Sequence, residues 1–308
     1  MRVVLSSVFF ALLLLAFVAA DLSAQSDAFL QPAGESSLWM TAGGGSTRTM
    51  FDTDGEERLL DTLGTDFTSY VLALSFDYGL TDEIELNATL PIGYVSTTSD
   101  LFPDRSILAP YWLGLGGTWR FLDGPLRMAG RLEIRVPPGF HSGIYDDPEH
   151  PSFLSDGYLE VQTGLSVAWS SPSAWIKAGA AYAARAEEPE DAIVGSLELG
   201  YSSIPGSGIF LNLSGEASLA DPSRPSRPFF AGATSAGEVF DGGTGRLLTI
   251  ERQAFLDVAP GLYVDLGEDI SAALQYNIRL LGVHTLRLNG LYLSVGLRFG
   301  GEDKAATL

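Results

Sequence analysis

Between positions 84 and 94 the chain reads Ile84-Glu85-Leu86-Asn87-Ala88-Thr89-Leu90-Pro91-Ile92-Gly93-Tyr94. Every even position is apolar or aromatic, while Glu85, Asn87, Thr89 and Gly93 fall between. A period of two belongs to a strand, whose successive side chains point to opposite faces. This strand therefore separates an apolar medium from a polar one. The same alternation recurs in Tyr70-Leu72-Leu74-Phe76-Tyr78, in Val161-Thr163-Leu165-Val167-Trp169 and in Leu291-Leu293-Val295-Leu297-Phe299.

Working outward, about twelve such segments can be read, most near the ~10 residues that a tilted membrane strand requires. They centre on Thr41, Ala73, Leu90, Gly116, Leu132, Leu165, Ala180, Leu197, Leu213, Ala259, Leu274 and Val295. The first is the weakest, because Gly43-Gly44-Gly45 dilutes its pattern. The connections alternate in length. Short polar turns stand at Thr81-Asp82-Glu83, Asp123-Gly124-Pro125, Ser171-Pro172-Ser173, Pro205-Gly206-Ser207 and Gly267-Glu268-Asp269. Longer connections run from Asp52 to Asp66, Thr98 to Ser106, Pro138 to Asp156, Glu187 to Asp191 and Asp221 to Leu247. Short turns on one rim and long loops on the other describe an outer-membrane barrel. The connection around Val283 to Leu286 is the exception, being short where a long one is due.

Aromatic placement gives an independent reading. Tyr78, Trp119, Phe121, Trp169, Tyr201 and Phe299 carry the apolar parity near the short-turn ends. Tyr70, Tyr94, Tyr111 and Tyr182 carry it near the long-loop ends, and rings with polar tips favour the headgroup level on both sides. From Tyr111 to Phe121, ten residues at ~3.3 Å rise and ~40° tilt give about 25 Å, the height of the apolar band.

Composition bounds the alternatives. The 308 residues hold 18 Lys and Arg against 38 Asp and Glu, a net charge of −20, which opposes nucleic-acid binding. Zero Cys removes disulfides, lipoprotein anchoring, thiolate zinc sites and cysteine nucleophiles together. At the start, Arg2 precedes the apolar run Val8 to Val18, followed by the small residues Ala19, Ala20, Ser23 and Ala24. That is the pattern of a secretory signal peptide, with cleavage after Ala20 or Ala24. The organisation expected is a signal peptide at 1–24 and a barrel at 25–308.

The segment Tyr78-Gly79-Leu80-Thr81-Asp82-Glu83-Ile84-Glu85-Leu86, followed by Leu90-Pro91, resembles a known family. It is similar to the outer-membrane barrels described as transporters, or as proteins of the meta-pathway of phenol degradation. Leu113-Gly114-Leu115-Gly116-Gly117 matches the family's glycine-rich strand entry, with Gly117 in place of its aspartate. Val136-Pro137-Pro138-Gly139 matches its proline-threonine-glycine strand end, with Pro138 replacing threonine, and Glu160-Val161-Gln162-Thr163-Gly164-Leu165 fits the next strand. The resemblance runs from about Tyr70 to Trp169 and marks strand ends and turns. It implies a barrel of similar size that moves small, often hydrophobic, compounds across the outer membrane.

The inward parity carries charges, and charges inside a barrel must pair or meet water. Arg120, Arg131, Glu133, Arg135, Glu160, Lys177, Asp257 and Arg279 are the candidate lumen-lining residues. Arg131-Glu133-Arg135 on one strand can face Glu160 on the next. Two roles remain open for these groups: an aqueous path that biases which solutes enter, or a salt-bridge lattice that plugs the lumen. Inward Trp112, Phe210, Phe255 and Tyr263 fit either packing or an affinity for aromatic solutes.

Catalysis finds little support. The only histidines are His141, His150 and His284, and none has an identifiable serine partner. Gly164-Leu165-Ser166-Val167-Ala168 stops one residue short of G-x-S-x-G and lies mid-strand. Asp52-Thr53-Asp54-Gly55-Glu56-Glu57 and the loop with His141, Asp146, Asp147, Glu149 and His150 read as solvated acidic loops rather than metal sites. Pro222 to Gly245 is long enough to fold inward as a constriction.

The expectation is an all-β protein, an antiparallel transmembrane β-barrel of about twelve strands in the outer membrane of a Gram-negative cell. It passively carries small solutes, with no catalysis and no cofactor. Its partners are outer-membrane lipid, a small-molecule solute and the barrel-assembly machinery. The alternatives are a non-conducting structural or partner-binding barrel and a secreted soluble β-sandwich.

Overall fold

The computed structural model describes residues 28–51, 55–59, 66–98, 105–137, 159–186, 191–219, 254–283 and 285–300. Its strands are β1 (Ser36–Thr47), β2 (Thr49–Phe51), β3 (Glu57–Leu59), β4 (Asp66–Gly79), β5 (Ile84–Thr98), β6 (Arg105–Pro110), β7 (Leu113–Leu122) and β8 (Leu126–Val136). There follow β9 (Glu160–Ser170), β10 (Ala174–Arg185), β11 (Ala192–Ile204), β12 (Ser207–Ser218), β13 (Ala254–Asp265), β14 (Ile270–Val283), β15 (Thr285–Leu286) and β16 (Gly290–Phe299).

Twelve antiparallel staves close into a barrel. Sequence neighbours pair in turn, β6 and β7 lie end to end against β5 as one stave, and β1 joins β16 to β4. All twelve expected centres fall on these staves. The glycine-diluted β1 is the strand that closes the ring, in register with β16 over Ser36 to Gly44. Its glycines answer a need for close approach: a Cβ on Gly44 would meet the Tyr70 backbone and ring.

The burial of the two faces is inverted relative to a soluble protein. Leu132 and Leu165 on the outer face are 52% and 59% exposed, whereas inward Glu133 and Glu85 are 1% and 2% exposed. Among the described residues no second layer covers the apolar side, and lipid is the solvent that suits it. Aromatic rings ride on that face near both rims. Tyr70 stacks on Tyr94 at 6.4 Å, and Trp119 lies 5.8 Å from Phe121.

Tyr111 corrects the girdle reading. Its hydroxyl lies 3.4 Å from Ser69 Oγ, and its ring covers inward Gly93, so it points into the lumen rather than at lipid. The cause is a break in the wall. Pro91 and Pro110 supply no N–H, and the β5 ladder jumps from Ile92–Pro110 to Thr89–Gly114. Tyr111 and Trp112 fill the gap, Tyr111 N donating to Pro91 O at 2.8 Å. Parity therefore resets there, and the 25 Å count from Tyr111 does not apply.

The short connection after β14 also finds its reason. β15 pairs with β2, which pairs with β3, so a small three-stranded sheet stitches this connection to the one between β1 and β4. Phe51 of β2 is buried, its ring against Gly282 at the end of β14. On the opposite rim, Gly206 holds its tight turn at φ 72°, where residues with a Cβ are strained.

Candidate functional site in the barrel lumen

Strand periodicity places Arg131, Glu133 and Arg135 two residues apart on the inner face of β8, so neighbouring side chains meet. Glu133 accepts from both arginines, from Arg135 Nε at 2.8 Å. Arg135 Nη1 reaches Glu160 on β9 at 3.2 Å, and Glu160 also takes Arg185 Nε of β10 at 2.6 Å. Arg185 Nη2 then donates to Glu216 of β12 at 2.8 Å. Three arginines and three glutamates alternate along this chain, each inner acid lying between two bases. Trp112 covers the Arg135 guanidinium at 4.4 Å. Buried charges persist only where hydrogen bonds of this quality replace water. This wall is a neutral, interlocked lattice.

Elsewhere in the lumen the pairing is looser. Arg279 on β14 grips Asp257 on β13 through two parallel bonds, Nε to Oδ1 at 2.8 Å and Nη2 to Oδ2 at 3.0 Å. Its remaining donors reach Thr285 Oγ1 at 2.6 Å and Leu286 O at 3.2 Å, holding the β14–β16 connection over the lumen. Phe255 packs under its guanidinium at 4.0 Å. On β10, Lys177 Nζ lies 3.4 Å from Glu198 Oε1, which also accepts Trp175 Nε1 at 2.6 Å.

Residues 28–35 cross the short-turn mouth from inside. Ala28 is fully buried against Ala129 and Ala168, and the Phe29 ring lies between Arg127 at 4.7 Å and Lys177 at 5.7 Å. Gln31 N donates to Glu85 Oε2 at 2.8 Å, and Gly34 N donates to Gly79 O at 2.8 Å before β1 begins. The sequence reading passed over this segment. Its only signal is an apolar pair, Phe29-Leu30, ahead of Pro32 and Gly34, which interrupt any strand.

Between these features lies a cavity of 660 Å³, with Phe29 and Gln31 at one end, Leu288 toward the other, and β9 to β14, β16, β1 and β4 around it. Of the candidates read from sequence, Lys177, Asp257 and Arg279 line it. Arg131, Glu133, Arg135 and Glu160 belong to the lattice. Arg120 sits at the short-turn rim, where Nη2 donates to Asp82 O at 2.5 Å. Trp39, Trp175 and Tyr292 also line the cavity and were not singled out, although their parity is inward.

The expected signal peptide at 1–24, His141, His150, His284, Asp146, Asp147, Glu149 and the segment Pro222 to Gly245 lie outside the described residues. Of the acidic stretch beginning at Asp52, the described part ends in Glu57, which pairs with Arg287.

No family model and no curated protein matches the sequence. Among solved structures, the barrel is similar to an outer membrane channel from Pseudomonas putida F1, at 13% identity and a TM-score of 0.64, covering 89% of this chain and 98% of that one. Weaker likenesses include the NanC porin, at 8% identity and a TM-score of 0.48, covering 84% of this chain and 98% of that one. The CymD monoaromatic hydrocarbon channel matches at 8% identity and a TM-score of 0.41, covering 88% and 89%. The fold is that of an outer-membrane β-barrel.

Proposed function

We propose that this chain is an outer-membrane conduit that passively admits small solutes through the cavity side of its lumen. The observation that carries the proposal is a mixed aromatic and polar cavity of 660 Å³ inside a closed barrel whose outer face is apolar. A lumen built only for stability would be filled, as it is where the lattice runs from β8 to β12. Among the described residues, nine of the twelve staves border the cavity instead. The description of the Pseudomonas barrel as a channel agrees with this reading. On it, the chain is exported by its signal peptide, inserted by the barrel-assembly machinery and solvated by outer-membrane lipid. The proposal invokes no catalytic step and no cofactor.

Reconstitution tests it. Purified barrel in a planar bilayer should carry ion current, and liposomes containing it should swell in small neutral solutes. Absence of both in a folded barrel would reject the conduit. It would favour the second reading, a non-conducting barrel, which the lattice and the Phe29 segment support by occupying much of the lumen.

A further inference from the structure

Five strand-borne rings line the cavity: Trp39, Trp175, Phe210, Tyr263 and Tyr292. Each stands directly across the ladder from a glycine. The pairs are Trp39–Gly296, Trp175–Gly200, Phe210–Gly261, Tyr263–Gly208 and Tyr292–Gly43. In all five, a Cβ placed on the glycine would overlap the ring of its partner. The rings therefore lie on the bare backbone opposite instead of standing into the lumen.

On the lipid face the pairing is not the rule: Tyr70 lies over Gly44, but other rings there have side chains on both sides. Trp169 stands across from Leu126 and Ile176, Tyr201 from Ala174 and Ile209, and Tyr182 from Thr163 and Ile193. Outside, a ring can extend into lipid whatever faces it. Inside, a ring opposite any residue with a Cβ has only the lumen to occupy, since directly opposed side chains stand ~5 Å apart.

We infer that Gly43, Gly200, Gly208, Gly261 and Gly296 set the bore of the lumen, each holding the opposite ring flat so that five ring faces form the solute-facing surface. This inference rests on the conduit reading and adds to it the positions that decide which solutes fit. A methyl group at Gly200, Gly261 or Gly296 meets ring atoms alone, so it tips the ring toward the axis and narrows the path; at Gly43 and Gly208 it also meets a backbone carbonyl. Shortening the ring widens it.

The experiment measures single-channel current in KCl, and liposome swelling with glycerol, arabinose, glucose and sucrose. Folding is checked by heat-modifiable gel mobility. Gly261→Ala and Gly296→Ala should each lower the current at least twofold and exclude the larger sugars first. Phe210→Ala and Trp39→Ala should raise both, and Gly261→Ala with Phe210→Ala should restore them. If Gly261→Ala alone fails to fold while the double variant folds, the clash is confirmed. Unaltered current and size cut-off in the folded glycine variants would overturn the inference while leaving the conduit standing. If the unmodified barrel carries nothing, the conduit reading falls and tryptophan spectroscopy decides the inference. Gly200→Ala and Gly296→Ala should then change the near-UV circular dichroism from Trp175 and Trp39. Unchanged spectra would overturn the inference.

Discussion

Glu133 shows at the residue scale how charge is made tolerable inside the barrel. Its side chain is 1% exposed and lies between two guanidinium groups. Glu133→Ala removes the acid between Arg131 and Arg135, and breaking a buried pair by removing one partner costs about 3–5 kcal/mol. Urea unfolding of the barrel in liposomes should show that loss, with Glu133→Gln intermediate; equal stability would remove the lattice from the list of what holds this wall. Ion selectivity separates the two sides of the lumen. Lys177 lines the cavity and Arg135 belongs to the lattice. Lys177→Gln should shift the reversal potential in a KCl gradient toward cation preference. Arg135→Gln should leave it in place while lowering stability. Reversed outcomes would put the path on the lattice side.

At the element scale, the segment carrying Phe29 and the stitched sheet of β2, β3 and β15 lie at opposite ends of the cavity. Phe29 is held by contacts with Arg127 and Lys177. A cation over an exposed or half-exposed ring contributes ~0.5–1 kcal/mol, so the hold is modest. Phe29→Ala should remove the ring from the cavity mouth while Ala28, Gln31 and Gly34 keep the segment in place, and so raise the current; unchanged current would show that the ring does not obstruct flow. At the other end, the guanidinium of Arg287 beside Glu57 holds its carboxyl below the usual carboxylate range. A lowered folded-state value means that the bridge stabilises at neutral pH and loses that contribution as pH falls, below about pH 4. The pair is exposed, so its contribution is at most ~1 kcal/mol. Amide exchange at Phe51 and Leu286, corrected for intrinsic rates, should be steady from pH 7 to 5 and quicken below pH 4. Glu57→Gln should abolish that acid step.

At the scale of the whole molecule, the lipid-facing leucines carry the fold's relation to its solvent. Leu132 is outward, mid-strand and 52% exposed. Leu132→Arg should cost ~2–4 kcal/mol in a bilayer, as a cation near the midplane does. The same change at Leu126, beside the short-turn rim, should cost ~0–1 kcal/mol. Equal costs at the two depths, measured by unfolding from liposomes, would contradict a membrane around this surface. The twelve staves and their inward and outward parity were legible because lipid outside and polar lumen inside write the period of two into every strand. Legibility failed at Tyr111, where two prolines break the ladder and parity resets. It failed again at Phe29, since a segment packed inside a barrel carries no periodic signal.

What the sequence determined by itself is the medium on each side of the wall, and with it the number, direction and sidedness of the strands. A strand's two faces are local, so alternation records them residue by residue. What only the tertiary structure decided is which inward groups join the salt-bridged lattice and which border the cavity, and which rings lie on which glycines. Those are facts of cross-strand register and of packing across the lumen, and each joins residues whose separation along the chain says nothing of their contact.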